Sequence, residues 1–519
     1  MTSRFAACHS IADLYVRACR WKGPRILFAD DTNGSYTGEQ ALDHSLRFAA
    51  ALRRASLKPG DVVAYLCLSS AAHTVAWFGT FAGGYVAANL HTRDNSVAQI
   101  AQTLQWLGAK MVVHDVEFAA VVNAAVRETG LPISTLALDD EDNGWKALIK
   151  PAAPLDYEHQ RPNCASLAAI ILSSGSTGEP KGVMHSQASL LACAVSGQVM
   201  LAGIHRHDTI MIPMNPSFAG WVMFVLPSVA GRARLFFVHR FDPVQVVDLA
   251  VRERVTILNM VPTMWRMAFD VVRPEHDFSN VRLTCVGGEL PTADDVARIT
   301  TRFCKRIAAI YMAGESGNGC AITVTTEDMV DVRKIGSTGL PTVGADVRIV
   351  DPDGSIDDVL PPGQRGEIVV TGSSVALGYW RDPALTAKKF IDGWWRSGDL
   401  GQVDEDCYLW VNGRADNVIN SGGIKVHAEE IESQIMTHEE VSACAVVGRT
   451  DAKFGQRIEA YVVSRNAELT SDALKSYLKD VRELSGHKVP KAFHFLQALP
   501  TGLTGKLDRR ALRDRKDPA

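Results

Sequence analysis

The sequence predicts an α/β protein: a large N-terminal domain of layered parallel sheets with a β-rich subdomain, followed by a small α+β C-terminal domain. Three observations carry this. Helical and strand-like patterns alternate from the N-terminus to beyond residue 260, as expected of sheets covered by helices. The texture changes near residue 333 to glycine, proline and short alternating strands. Beyond Arg414 the αβ alternation resumes, and a remainder of about 100 residues suffices for a compact domain. The expected division is 1–414, with the β-rich subdomain at about 333–414, and 415–519.

Each element follows from its pattern. "GEQALDHSLRFAAALRRA" (38–55) has helical periodicity, and "DVVAYLCL" (61–68) and "AKMVVHD" (109–115) are short apolar runs. "SLAAIILSS" (166–174), "DTIMIPM" (208–214), "RLFFV" (234–238) and "VTILNMVP" (255–262) read as buried parallel strands, each followed by a helix or loop. "GADVRIVD", "GEIVVTG" and "CYLWVNGR" form the β-rich stretch. "EEIESQIMTH", "SACAVVGRTD", "EAYVVSRN" and "LKSYLKDVRELS" restore the alternation.

The bulk numbers exclude several function classes. A length of 519 residues with 46% apolar content supports more than one buried core. A formal net charge of -4 provides no global attraction for nucleic acid or anionic lipid, so neither partner is expected. The longest weakly polar run, residues 75–90, is 16 residues long, against about 20 for a membrane-spanning helix. Ten cysteines without a CxxC pair read as reduced thiols in a cytoplasmic chain. A homodimer is compatible with the sequence but not required by it.

The stretch "SSGSTGEPKG", Ser173 to Gly182, suits an anion-binding loop. Glycines allow unusual backbone angles and expose N–H groups, while Ser173, Ser174, Ser176 and Thr177 add hydroxyls and Lys181 adds a charge. It is not a P-loop: Pro180 stands five residues after Gly175, and Gly182 follows the lysine. Taken alone, it reads as a mobile surface loop. Four further segments follow in order: "YMAGES" (311–316), "WWRSGDLG" (394–401), "NGRADNVINSGGIKV" (412–426) and "LPTGLTGKLDRR" (499–510).

Together these five motifs closely resemble the adenylate-forming superfamily of acyl-CoA synthetases, nonribosomal adenylation domains and luciferases, over essentially the whole chain. The resemblance implies a two-step reaction in which a carboxylate attacks ATP to give acyl-AMP and pyrophosphate, and a thiol then displaces AMP. It implies ATP, Mg²⁺ and coenzyme A as cofactors, and a mobile C-terminal lid. Ser173, Ser174, Gly175, Ser176, Thr177, Gly178 and Lys181 would hold the phosphates, with Glu315 and Thr177 on Mg²⁺. Gly288, Glu289 and Tyr311 would border adenine, and Asp399 and Arg414 the ribose; Met312, counted with the nucleotide-binding positions, also stands where acetate-activating relatives have a tryptophan wall and long-chain relatives tend to have glycine. Lys506 would bridge carboxylate and α-phosphate, and Asp416 would be the hinge. Ser421, Gly422 and Gly423 would approach the pantetheine of CoA; by themselves they read as a tight turn between strands.

Two positions depart from the family's Tyr-Gly-x-Thr-Glu, which here reads Tyr311-Met312-Ala313-Gly314-Glu315. The missing threonine hydroxyl leaves Ser316 or water to substitute, or slows adenylation. In "PMNPSFAGWVMFVLP" (213–227) the family's usual histidine is absent. Phe218, Gly220, Trp221, Gly317, Asn318 and Gly319 are expected as acyl-pocket walls, although Trp221, Phe224 and Val225 equally suit the core. An apolar pocket with little charge points to a medium-sized aromatic, cyclic or branched acid. The expected activity is an AMP-forming carboxylic acid–CoA ligase. The alternatives are a ligase loading a carrier-protein phosphopantetheine, luciferase-like oxidation of an acyl-adenylate, and a nonenzymatic nucleotide-binding relative.

Overall fold

A computed structural model describes residues 8–92, 96–140, 144–174, 180–288, 291–317, 322–324, 334, 336–422, 424–451, 454–501 and 507–515. The chain divides into two compact units, Met1–Val347 with Val370–Trp395, and Arg348–Val369 with Arg396–Ala519. These bounds differ from a single cut at residue 414, because stretches of the β-rich region group with the C-terminal residues. Among the described residues no helix is long and apolar enough to cross a membrane.

The first unit is built on two large sheets. One has nine strands, with Ile257–Met260 at its centre and Thr209–Ile212, Arg234–Phe237 and Ile26–Asp30 following on one side. On the other side come Leu283–Gly287 and Ile307–Ile310, and all of these neighbours pair in parallel. The seven-stranded sheet carries Val62–Leu66, Val86–Asn89, Ala109–His114 and Ser134–Ala137, also parallel. Side chains of successive strand residues leave opposite faces, and the cores follow this alternation. Ile210, Leu235 and Phe237 join Val63, Tyr65, Ala169 and Ile171 in one core with helices Ile11–Lys22, Gly38–Arg54, Ala71–Ala82 and Ala219–Gly231. Met211, Phe236 and Leu258 face the helices of a second core, and Ala64, Val112 and Ile170 those of a third.

The expectation of a parallel strand at 166–174 holds on one side only. Leu167–Ser174 runs parallel to Val86–Asn89 through Ala87 and Ala169. On its other side it pairs antiparallel with Pro180–Ser186, with Ser173 opposite Lys181 and Ser174 opposite Pro180. A parallel return needs a crossover of a dozen or more residues, and residues 175–179 are too few.

The β-rich stretch forms a five-stranded sheet of Ala345–Val350, Gly366–Gly372, Trp394–Val403, Phe390–Ile391 and Leu409–Arg414. A second five-stranded sheet comprises Ile424–His427, Val418–Ser421, Gly455–Ser464, Val441–Asp451 and Ala492–Phe495. Its two faces are filled separately: Ile419, Ile431, Ile435, Val446, Ile458 and Leu474 pack on one, and Val447, Tyr461 and Leu512 on the other.

Candidate active site

One group of the expected residues lies in the first unit, at one end of the strand Pro180–Ser186. Lys181, Val183 and His185 alternate along this strand and share a face. That face meets the turn at 313–317. The His185 imidazole bonds the Gly314 carbonyl through Nε2 at 2.7 Å, and Val183 would touch a Cβ at Gly314 at 3.7 Å. A carbonyl only accepts, so Nε2 carries the proton, and the neutral ring leaves Nδ1 to accept from the Ser189 hydroxyl at 3.2 Å. Burial holds His185 neutral down to about pH 4, a shift only partly opposed by its bond to Gly314.

Glu315 follows directly. The segment 376–380 joins it to the lysine strand: Gly378 and Tyr379 pair with Met184 and Val183, and the Ala376 N–H donates to the Glu315 carbonyl at 2.8 Å. The Tyr379 hydroxyl donates to Glu315 Oε1 at 2.9 Å, and Lys181 Nζ lies 5.9 Å from the centroid of the same ring. One phenol therefore contacts both a carboxylate and an ammonium.

The residues expected near adenine occupy the carboxyl ends of neighbouring parallel strands, where α/β sheets bind ligands. Gly287 is in register with Ile310, so Gly288 and Tyr311 leave the sheet side by side. Gly288 has φ +89°, a left-handed angle that glycine adopts without strain. Met312 packs partly buried against the main core. The start of helix Ala219–Gly231 is adjacent, since Ala219 Cβ lies 3.9 Å from where a Gly314 Cβ would stand. Phe218 caps this helix and contacts His91 with ring centroids 6.4 Å apart, while a Cβ at Gly220 would meet Met214 Sδ at 3.2 Å.

Three expectations are corrected. Trp221 is not a pocket wall: it is fully buried, its indole N–H donates to Ser69 Oγ at 3.0 Å, and its ring packs edge-on against Trp77. Gly317 is not a wall either. It has φ +60°, and a Cβ there would meet Cys193 Sγ at 2.5 Å and the Ser374 carbonyl at 2.8 Å, so it serves close packing. Ser316 does not replace the missing threonine hydroxyl: it is buried and its Oγ accepts from the Ala313 N–H at 2.9 Å, inside the turn. Gly175, Ser176, Thr177, Gly178, Glu289, Asn318, Gly319, Gly423 and Lys506 lie outside the described residues.

Other residues expected at the site lie in the second unit. Asp399 and Arg414 are opposite each other on paired strands, with Arg414 Nη1 3.1 Å from Asp399 Oδ1. Asp399 is mostly buried and Arg414 half exposed, so the pair presents a carboxylate and a guanidinium edge together. Asp416 lies in the short turn Ala415–Asn417, and its carbonyl accepts from Arg513 at 3.3 Å. Ser421 and Gly422 begin a tight turn between two antiparallel strands. Gly422, at φ +62°, is braced by Phe454, whose carbonyl accepts its N–H at 2.8 Å.

Residues 16–380 match the family model described as AMP-binding enzyme, and residues 430–506 match that of the AMP-binding enzyme C-terminal domain. The chain belongs to the AMP-binding enzyme family. As a member it is an AMP-forming acid–thiol ligase of the adenylate-forming superfamily. It is 33% identical over 477 residues to a feruloyl-CoA synthase of Amycolatopsis sp, covering 90% of this chain and 91% of that one. It is 30% identical over 492 residues to the fatty acid–[acyl-carrier-protein] ligase ScoC of Streptomyces coeruleorubidus, covering 92% and 91%. Among solved structures, ATP-bound MatB from Rhodopseudomonas palustris superimposes with a TM-score of 0.87 at 25% identity, covering 97% of this chain and 98% of that one.

The side chain at Glu315 fits the Mg²⁺ that the resemblance implies. Glu315 is a single hard carboxylate, and Mg²⁺ is ordinarily held by one or two carboxylates plus substrate phosphates rather than by an all-protein cage. Among the described residues no group of three His, Cys, Asp or Glu side chains converges as such a cage. Sequence reasoning missed His185 and Tyr379. The available signals were the period-2 spacing of His185 from Lys181 and the aromatic pair Tyr379-Trp380 following Gly378.

Proposed function

We propose that this enzyme activates a medium-sized carboxylic acid, aromatic, cyclic or branched, with ATP and transfers the acyl group to coenzyme A. One observation carries the reading: Lys181 and Glu315, distant in sequence, meet at one buried phenol, the ammonium over its ring and the carboxylate on its hydroxyl, beside the start of the helix at Phe218. An ammonium and a carboxylate gathered at one side chain suit a substrate that brings both phosphate charge and its counter-ion.

In the first half-reaction a carboxylate oxygen forms a bond to the α-phosphorus as the bond to the bridging oxygen breaks, and pyrophosphate leaves with that electron pair. The barrier is the approach of two anions, lowered by positioned cations and donors. Lys181 and the hydroxyls of Ser173, Ser174, Ser176 and Thr177 are assigned to the β- and γ-phosphates. Asp399 and Arg414 are assigned to the ribose, and Lys506 to carboxylate and α-phosphate. Mg²⁺, held by Glu315 with Thr177, supplies charge neutralisation to the phosphates when bound. In the second half-reaction the CoA thiol gives up its proton to solvent, its sulfur bonds to the acyl carbon, and AMP departs with the electron pair of the broken acyl carbon–oxygen bond. A lid beginning at residue 415 and turning at Asp416 is assigned to the exchange between the two arrangements.

The pocket assignment rests on Phe218, Gly220 and Met312. These are apolar or adaptable, and burial lowers the pKa of His91, the imidazole that contacts Phe218. The 33% identical relative is named for an aromatic acid, which agrees with this. The second reading, loading of a carrier-protein thiol, is favoured by the ScoC likeness. The test is a screen of carboxylic acids for pyrophosphate release with and without CoA. Release on aromatic or branched acids with CoA consumed supports the proposal; release that stalls near one equivalent and resumes only with a phosphopantetheinylated carrier favours the second reading. No release with any acid sinks both.

A further inference from the structure

We infer that Tyr379 is a positioning residue for the phosphate and metal chemistry, setting the carboxylate of Glu315 through its phenolic proton and the ammonium of Lys181 through its ring face. The inference rests on the assignment of Glu315 to Mg²⁺ proposed above and extends it to a residue that assignment does not contain.

The placement of the phenol is strongly determined. Tyr379 is 4% exposed. Its backbone is zipped to the lysine strand, and its N–H donates to Thr386 Oγ1 at 2.9 Å. Gly378 lets the two segments close up, since a Cβ there would meet Thr386 Cγ2 at 2.5 Å and its φ is +136°. Phe390 packs edge-on against the ring with centroids 5.5 Å apart. A ring fixed from so many sides cannot follow its partners; they must follow it. The hydrogen bond at 2.9 Å then selects one orientation of the Glu315 carboxylate, and a donor on one oxygen is the means by which proteins orient metal-ligating carboxylates. The ring's negative face attracts the Lys181 ammonium at 5.9 Å. His185 fixes the peptide just before Glu315 from beneath, so both the backbone and the side chain of Glu315 are aimed.

The test uses Mn²⁺ as the probe, read by electron paramagnetic resonance in the presence of a non-hydrolysable ATP analogue, on the full chain. Tyr379→Phe keeps the ring and removes the phenolic proton; it is expected to weaken Mn²⁺ binding about 10- to 100-fold with an unchanged thermal midpoint. In a cycle with Glu315→Gln, the double variant is expected to bind Mn²⁺ no more weakly than Glu315→Gln alone, because the phenol acts through that carboxylate. Phe390→Leu disturbs packing on the ring but not the hydroxyl, and is expected to lower the midpoint while leaving Mn²⁺ affinity in place. Wild-type affinity in Tyr379→Phe, additive losses in the cycle, or an equal loss in Phe390→Leu would each overturn the inference while leaving the Glu315 assignment standing. A wild-type protein that binds the nucleotide without Mn²⁺ overturns both.

Discussion

His185 supplies a test of the turn that aims Glu315, and its size can be worked from the structure. The imidazole is fully buried, and burial lowers its titration from 6.5 to about 4. The unfolded chain therefore binds a proton in the window from pH 6.5 down to about 4, and the folded chain does not. The contribution is fully present above pH 6.5 and is lost as the pH falls toward 4, on the order of 3 kcal/mol in all. Because Nε2 bonds the Gly314 carbonyl, the loss should fall first on the turn at 313–317. Hydrogen-exchange protection factors for a peptide spanning 307–317 are the appropriate readout, since they divide out the intrinsic pH dependence of exchange. Wild-type protection should fall roughly a hundredfold across the window. His185→Gln keeps an N–H that reaches the Gly314 carbonyl but cannot titrate, and its protection should stay flat. An equally steep fall in His185→Gln would refute the reasoning and move the acid sensitivity elsewhere. His73 would be the next suspect, since burial also keeps it neutral to about pH 4.

Three other outcomes are expected. Gly317→Ala should destabilise the first unit by about 2–5 kcal/mol, combining left-handed strain with overpacking against Cys193; thermal melting checks this, and Cys193→Ala in the same chain should recover part of the loss. Lys506→Ala should nearly abolish acyl-AMP formation while sparing thioester formation from supplied acyl-AMP, measured as separate half-reactions; comparable losses in both would contradict the role assigned to it. Asp416→Pro, restricting φ at the assigned hinge, should impair the thioester step more than adenylation, and equal impairment would count against a hinge there.

Strand existence was legible because burial on both faces writes itself as an apolar run: "TIMI", "RLFF" and "ILNM" are strands of the parallel sheet as expected. Strand direction at Pro180–Ser186 was not legible. Its residues fit a loop-to-helix transition as well as a hairpin arm, and what decides the matter is pairing with Leu167–Ser174 on one side and Gly378–Tyr379 on the other. Site residues carried by motifs were legible as candidates, and the structure brings Asp399 to Arg414 and Lys181 to the Glu315 turn. The contacts that organise them were not. Tyr379 reaches Glu315 across 64 positions and His185 reaches Gly314 across 129, and no local pattern encodes such a meeting.

Trp221 shows the limit from the other side. In the sequence it stands next to Gly220 and three residues from Phe218, and all three suit an apolar wall. The helix Ala219–Gly231 separates Trp221 from Gly220, because consecutive helical residues point about 100° apart, and Phe218 precedes the helix with an extended backbone. Phe218 and Gly220 remain partly exposed at the helix start, whereas Trp221 turns into the aromatic cluster and finds Ser69, 152 positions away, for its indole N–H. A Trp221→Ala change should thus behave as a core truncation, costing about 3–5 kcal/mol, rather than as a specificity change. The width of the assigned acyl site falls instead to Met312 and Phe218. Of these, Met312 is the unbranched, adaptable one, so substitutions there are the ones expected to redistribute preference among acids of different size.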